Sequence, residues 1–301
     1  MLEFKKPEIG DKAWVNSCLK HANSMNCEYT FGNLFIWAEA YKTEICKYKD
    51  FLIVRWHDED SVTYSLPLGE GDFTDAVAQI ISDAKQNSVT PKIYGITEGY
   101  LGMLQEAFFG EFDYSFDDGM NDYIYSAQKM ASLSGKKYHS KRNHITFFKK
   151  NNPDWKFEKL TKENISECIA CHAKWIENKD SDTDSDEEYS FEFEAVLKAF
   201  EYFDELGFIG GLLRVDGEVV AFTMGEGQVA SSCFVTHFEK APAQMRGAYP
   251  AICFEFTKNC LLGSFEYVNR EEDLGIEGLR KAKQSYYPEV FLKKGVAVYN
   301  G

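Results

Sequence analysis

The chain has 301 residues, with 33 Lys and Arg against 48 Asp and Glu, a formal net charge of −15, 44% hydrophobic residues and 15% aromatic ones. That apolar content supplies a core and excludes a disordered chain, while the acidic balance excludes indiscriminate coating of nucleic acid. No run approaches the ~18 apolar residues of a membrane-spanning helix. Met1-Leu-Glu-Phe-Lys-Lys-Pro7 has no apolar run behind its basic pair, so the expected location is cytoplasmic.

In chain order, Phe4 to Glu8 predicts a short strand and 9–22 a helix. Tyr29 to Tyr41 follows as a helix, 43–47, 51–57 and 61–66 as strands, 72–87 as a helix. Strand 92–96, helix 98–109 and strand 122–127 complete the first half. A helix over 134–150 joins the halves, and Pro153 closes it.

The second half opens on a strand near Phe157 and a helix over 162–179, with Thr161 and Glu163 as start signals. A helical pattern over 187–206 stops at Gly207. Phe208 to Val215 and Glu218 to Glu226 are strands around an Asp216-Gly217 turn. Val229 to Phe238 is a strand, Gln244 to Pro250 a turn opening a helix to Leu262, and Phe265 to Val268 a strand. Helix 275–286 and strand Val290 to Tyr299 finish the chain. The order is β-α-α-β-β-β-α-β-α-β, and the first half is compatible with a looser version of it.

The eight cysteines (18, 27, 46, 168, 171, 233, 253 and 260) read as reduced and mostly buried. Cys168-Ile-Ala-Cys171-His172 has the spacing of a haem attachment motif, but its helical setting favours ordinary packing. Asp180 to Glu188 alternates like a calcium loop, yet Ser185 stands where Gly is needed and Phe191 where Glu is needed. No third ligand accompanies His139 and His144, so no metal is expected.

Between Tyr123 and Pro153 there is no Asp or Glu, and Ser134-Gly-Lys-Lys-Tyr-His-Ser-Lys-Arg-Asn-His144 is densely basic. Such a segment suits a phosphate, a nucleic-acid backbone or an anionic head group, or is simply a solvated helix face. Lys137, Lys141 and His144 fall on one stripe, with Arg142 and Asn143 offset from it.

The element order resembles the GNAT acetyltransferase fold. Residues 135–145, Asn269-Arg-Glu-Glu-Asp-Leu-Gly275 and Gly278-Leu-Arg-Lys-Ala-Lys-Gln-Ser-Tyr-Tyr-Pro288 look like the soluble family related to the C-terminal domain of phosphatidylglycerol lysyltransferases. The resemblance implies an α+β protein of two tandem GNAT-like acyltransferase domains, each a mixed central sheet flanked by helices. The expected division is 1–130, a basic connecting helix over 131–153, and 154–301. For lipid-modifying members the resemblance implies aminoacyl transfer from charged tRNA, and Fem-type transferases are similar in fold logic. The acceptor, a lipid head group or another anionic or small molecule, stays open.

No cofactor is implied unless CoA is the donor. Gln244-Met-Arg-Gly247-Ala-Tyr249 keeps part of the pyrophosphate loop of acetyl-CoA enzymes, which makes Arg246 and Gly247 candidate binding residues, but Tyr249 crowds it. An acyl-CoA transferase and a non-catalytic module binding RNA or an anionic ligand are the alternatives. Asp273 is expected either to position or deprotonate an acceptor or to cap the helix after it. Tyr286, with Tyr287 as rival, is a candidate proton donor. Lys283 shares a face with Tyr286 and would stabilise an oxyanion or phosphate. Asn269 and Arg270 would line the same cleft, and the resemblance favours Arg142 and Asn143, beside Lys141, as substrate-binding residues. The cleft is expected between the halves, roofed by 134–150 and floored by 265–287.

Overall fold

The computed structural model describes residues 2–57, 61–177, 186–242 and 244–301. The acidic calcium-like stretch at 180–185 lies outside them. The first half comprises α1 (Lys12–Leu19), α2 (Phe31–Ile36), β1 (Glu44–Tyr48), β2 (Phe51–His57), β3 (Val62–Ser65), β4 (Leu68–Gly69), α3 (Phe73–Gln86), β5 (Lys92–Ile96), α4 (Glu98–Ala107) and β6 (Phe112–Phe116). Then come β7 (Asp122–Ser126), α5 (Ala127–Ser132), α6 (His139–Asn151), β8 (Lys156–Lys159), α7 (Ile165–Glu177), α8 (Asp186–Glu201) and α9 (Phe203–Leu206). The chain ends with β9 (Ile209–Val215), β10 (Glu218–Gly227), β11 (Cys233–Lys240), α10 (Ala248–Phe256), β12 (Tyr267–Asn269), α11 (Glu277–Gln284), β13 (Val290–Leu292) and β14 (Gly295–Tyr299).

The strand expected at residues 4–8 is a single bridge, Lys5 to Ile45. Strand β6, whose Phe112-Asp-Tyr-Ser-Phe116 alternates only briefly, adds to the expected elements. Strand β4 and helix α5 also lie outside the expected elements, and the helix expected over 187–206 divides into α8 and α9; the other helices fall where their apolar periodicity puts them, trimmed at the ends. Asp72 caps α3 by accepting from the Asp75 amide, and Thr30 caps α2 through Asn33.

The strands form two mixed sheets. The first has the order β1-β2-β3-β5-β14-β6, with β4 on β2, and the second β13-β7-β12-β11-β10-β9-β8. Strand 122–127, expected to complete the first half, pairs instead with β12 and β13 in the second sheet. The terminal segment 290–299, expected as one strand, divides: β13 stays in the second sheet and β14 inserts between β5 and β6 of the first. Alternating apolar residues mark a strand without naming its neighbours, so period alone is silent on this exchange.

The expected joining helix is also placed differently. Its C-terminal part, α6, lies on the second sheet and packs on α10, where a Cβ on Gly247 would overlap the His144 carbonyl oxygen. It does not roof a cleft between the halves. The opposite face of that sheet meets the first half. Phe31 and Phe35 of α2 share one buried cluster with Phe200, Phe203, Phe208 and Phe222, each such ring contributing ~1.5–3 kcal/mol on burial.

Candidate active site at the meeting of the sheets

Strands β11 and β12 run parallel only from Cys233 and Tyr267 to Val235 and Asn269. Beyond that point β11 continues to Lys240 without a strand on this side, so the sheet splays. On its other side, β11 carries a bulge: Met224 faces Phe238 and Gly225 faces Thr236, leaving His237 unopposed. Gly225 is needed there, because a Cβ would overlap the Val235 carbonyl oxygen. The extra residue re-aims the rest of the strand. His237 packs on Phe208 toward the first half, with ring centroids 5.3 Å apart, while Glu239 turns toward α6.

Side chains bridge the splay. His237 Nδ1 lies 3.0 Å from Glu271 Oε1 and Nε2 lies 3.1 Å from Glu226 Oε1. Burial alone would lower the imidazole's affinity for a proton, but the two carboxylates raise it to about 9. Arg270 Nη2 donates to Glu239 over 2.6 Å. Near this pair Lys141 Nζ sits 3.9 Å from the centroid of the Tyr286 ring, and burial, aided by Arg270, lowers its ammonium to about 8.

The most heavily charged part of the layer lies toward the first half. Lys294, fully buried between β13 and β14, places its Nζ 2.9 Å from Asp122 Oδ1 and 3.4 Å from both Glu28 Oε1 and Glu272 Oε2. Asp122 Oδ2 accepts from the Cys27 amide and from Asn269 Nδ2, each over 2.8 Å. Burial disfavours the charge on Lys294, but Asp122, Cys27, Glu272 and Glu28 hold it well above the ordinary lysine value. Three carboxylates around one ammonium leave an excess of negative charge. Glu28 carries the consequence: burial pushes its carboxyl up to about 7 against the pull of Lys294, and its side chain remains 15% exposed. Ligand-type atoms of Cys27, Glu28 and Glu272 lie within 4.8 Å of one another, a spacing suited to a metal ion, but the Lys294 ammonium is 3.4 or 3.5 Å from each and fills that place.

A cavity of about 180 Å³ opens between the halves, lined by Lys12, Asn16, Thr30, Phe31, Gly207 and Glu226 among others. It reaches the layer through Glu226, the partner of His237, and not through the basic helix expected above it.

The residues singled out in the sequence divide among these groups. Asn269 and Arg270 are in the layer. Lys283 is buried and donates to the carbonyl oxygens of Arg270, over 2.6 Å, and Glu272, so it braces the loop that carries Glu271 and Glu272. Tyr286 is buried, its hydroxyl directed at Cys253 and its backbone carbonyl accepting from Tyr138 over 3.2 Å. Asp273 is fully buried with both oxygens engaged. Oδ2 accepts from Tyr123 and from Arg280 Nε over 2.6 and 2.7 Å, and Oδ1 from the Gly275 amide and Arg280 Nη2 over 2.9 and 3.0 Å. Burial opposes its ionisation, but these donors lower its carboxyl to about 2.

Others lie away from the layer. Arg142 caps the end of α5 through the carbonyls of Leu133 and Gly135. Asn143 is exposed beside His139, Arg246 is exposed over the Phe147 ring, and Gly247 serves the α6–α10 crossing. Cys27, Glu28, Asp122, His237 and Lys294 are not recognisable as a group in the sequence, since no local spacing links them. The one available signal is a buried-type charge inside an apolar context: Asp122 ahead of Tyr-Ile-Tyr, and one of the lysine pair 293–294 between Leu292 and Gly295.

Residues 20–298 match the family model for phosphatidylglycerol lysyltransferase, C-terminal. The chain belongs to this family. A conserved protein of unknown function from Bacteroides thetaiotaomicron VPI-5482 is similar at 33% identity over the whole of both chains, with a TM-score of 0.94. L-PGS from Bacillus licheniformis shares the fold at 15% identity and TM-score 0.63, over 87% of this chain and 90% of that one. FemX shares it at 10% identity and TM-score 0.63, over 99% and 97%. No protein of curated function matches in sequence. The architecture is α+β and GNAT-like, and no described helix is long and apolar enough to cross a membrane.

Proposed function

We propose that this tandem GNAT-like chain is an aminoacyl transferase, taking an aminoacyl group from charged tRNA and passing it to an amine or hydroxyl of a lipid head group or small molecule. Family membership supports the reaction class. The observation that carries the reading is the partly exposed Glu28 beside Lys294, held near neutrality by burial, with the surplus carboxylates Glu272 and Asp122 adding to it.

Transfer requires the acceptor X–H to lose its proton as the X–C bond forms at the ester carbonyl. The carbonyl oxygen then bears negative charge, and the C–O bond to the ribose breaks with a proton returned to that oxygen. Glu28 is the group to take the acceptor's proton at pH 7 and return it to the ribose oxygen. Lys294 is the cation nearest the developing oxyanion, and Glu272 the carboxylate for the donor's α-ammonium group. Asp122 and Asn269 fix Lys294 in place, and Lys283 holds Glu272. No group in the layer needs a metal for these steps.

The test is incubation of the protein with bulk tRNA charged with labelled amino acids, anionic vesicles and a small-metabolite extract. The proposal expects label to pass from tRNA into lipid or a soluble product, with Glu28→Gln lowering the rate by about 10²-fold or more. Intact ester throughout, under conditions where wild-type protein stays folded, would overturn it.

A further inference from the structure

Charge developing on a carbonyl oxygen in a buried site needs an N–H or O–H aimed at it. Lys294 supplies a field but has no donor to spare, because Asp122, Glu28 and Glu272 surround the three N–H bonds of its ammonium. Asn26 does have one. Its side chain is fully buried, and its Nδ2 has no hydrogen-bond partner among the described residues. A buried amide left unsatisfied in this way costs free energy that a ligand oxygen would restore.

The direction of that amide is fixed. Asn26 Oδ1 accepts from the Glu28 backbone N–H over 3.0 Å, so the other end of the amide must be the NH₂ group. The Tyr29 hydroxyl is close enough to sense the amide but lies outside hydrogen-bond geometry with it, and gives its own hydrogen to the Gly95 carbonyl over 3.5 Å. The backbone around Asn26 is held on both sides. Gln228 Nε2 donates to the Asn26 carbonyl over 2.6 Å, Asn269 Nδ2 to that of Met25 over 2.7 Å, and the Cys27 amide donates to Asp122 over 2.8 Å.

Asn26 Nδ2 and Glu28 Oε2 converge on the space over Gly95 in β5. A Cβ there would meet Oε2 at 3.0 Å and Nδ2 at 3.3 Å, and apart from its chain neighbours no other atom within 4 Å. Gly95 has a φ of +77°, the left-handed conformation that glycine adopts without strain, and it lets a ligand come close to the backbone. A reacting group over Gly95 therefore has a proton acceptor on one side and a hydrogen-bond donor on the other.

We propose that Asn26 is a catalytic residue, whose Nδ2–H donates to the ester carbonyl oxygen as that oxygen takes on charge in the space over Gly95. The proposal rests on the transferase reading and completes it. The acceptor's proton goes to Glu28 as the X–C bond forms, and the carbonyl π pair moves onto the oxygen held by Asn26. That pair returns as the C–O bond to the ribose breaks.

The experiment is single-turnover transfer from aminoacyl-tRNA across pH by wild type, Asn26→Ser and Asn26→Asp. Beside it, calorimetry measures binding of two unreactive adenosine analogues, a tetrahedral aminoalkylphosphonate ester and a planar 3′-aminoacyl amide. Serine keeps an oxygen for the Glu28 amide and aspartate keeps the whole turn, while both lose the NH₂ donor. Thermal melts show that the variants fold. Transfer is expected to fall by about 10²–10³-fold in both, with the limb near pH 7 retained in Asn26→Ser. That variant should bind the phosphonate about tenfold or more weakly, and the amide within about threefold of wild type. Transfer by Asn26→Ser within about threefold of wild type overturns the proposal. So does equal weakening of both analogues or a displaced limb, either of which would make Asn26 only a support for Glu28. Wild type that leaves every charged tRNA intact, yet binds the phosphonate through Asn26, sustains the subsite and removes the tRNA donor. Wild type that neither transfers nor binds the phosphonate overturns both.

Discussion

Asp273 and Lys294 each stand at the centre of a buried ionic group in this protein, and the two groups are built to opposite ratios. Around Asp273 one carboxylate receives a bidentate arginine, a tyrosine hydroxyl and a backbone amide, so every lone pair in reach is taken. Around Lys294 one ammonium is shared by Asp122, Glu28 and Glu272. A saturated carboxylate is held near 2 and has no affinity for a proton at neutral pH. An under-neutralised one, Glu28, is raised to about 7. Burial raises both carboxyls. At Asp273 the donors outweigh it, whereas at Glu28 the shared ammonium does not and the neighbouring carboxylates add to it, which separates a carboxylate that holds a loop from one that can carry a proton.

The contrast breaks most severely at Lys294. Lys294→Met leaves three carboxylates in the layer without their cation and is expected to cost about 3–5 kcal/mol of stability, read from urea unfolding, because a broken buried pair leaves charge uncompensated. Transfer is lost with it.

Glu28→Gln sharpens the contrast, since it removes the proton carrier while keeping size and the Lys294–Asp122 pair. The fold is retained and transfer falls by about 10²-fold or more. In the wild-type protein the base works only when deprotonated. The rate therefore rises with pH and levels off above about 7, a limb absent from the Glu28→Gln profile.

Asp273→Asn is smaller. Its carboxyl is lowered in the folded state, so its contribution is present above the unfolded value near 4 and disappears as pH falls through about 2. Arg280 is 35% exposed, so the cost at pH 7 is about 1–2 kcal/mol after allowing for solvent screening. The wild-type advantage over Asp273→Asn should vanish at pH 2, read from acid unfolding.

The two groups also differ in how legible they are in the sequence. Asp273 sits in a run, Asn269 to Gly275, marked by its density of polar residues after a strand, and Lys283 and Tyr286 come after it at helical spacing. Proximity in sequence finds the brace of the layer. The centre is assembled from Glu28, Asp122, Glu272 and Lys294, which come from four segments that meet only because β7 and β14 cross between the sheets. Strand exchange leaves no periodic trace, since Val296 and Val298 alternate identically whichever sheet receives them. His237 is hidden for a related reason: its direction depends on a bulge at Gly225, and two-residue alternation would have put His237 and Glu239 on one face.

The most direct test is single-turnover transfer from aminoacyl-tRNA by wild type, Glu28→Gln and Asp273→Asn, each scaled to the folded fraction. With Glu28 as the proton carrier, Asp273→Asn transfers within about threefold of wild type while Glu28→Gln falls by about 10²-fold. Loss of transfer in Asp273→Asn with retention in Glu28→Gln would contradict this assignment and put the chemistry at the saturated carboxylate.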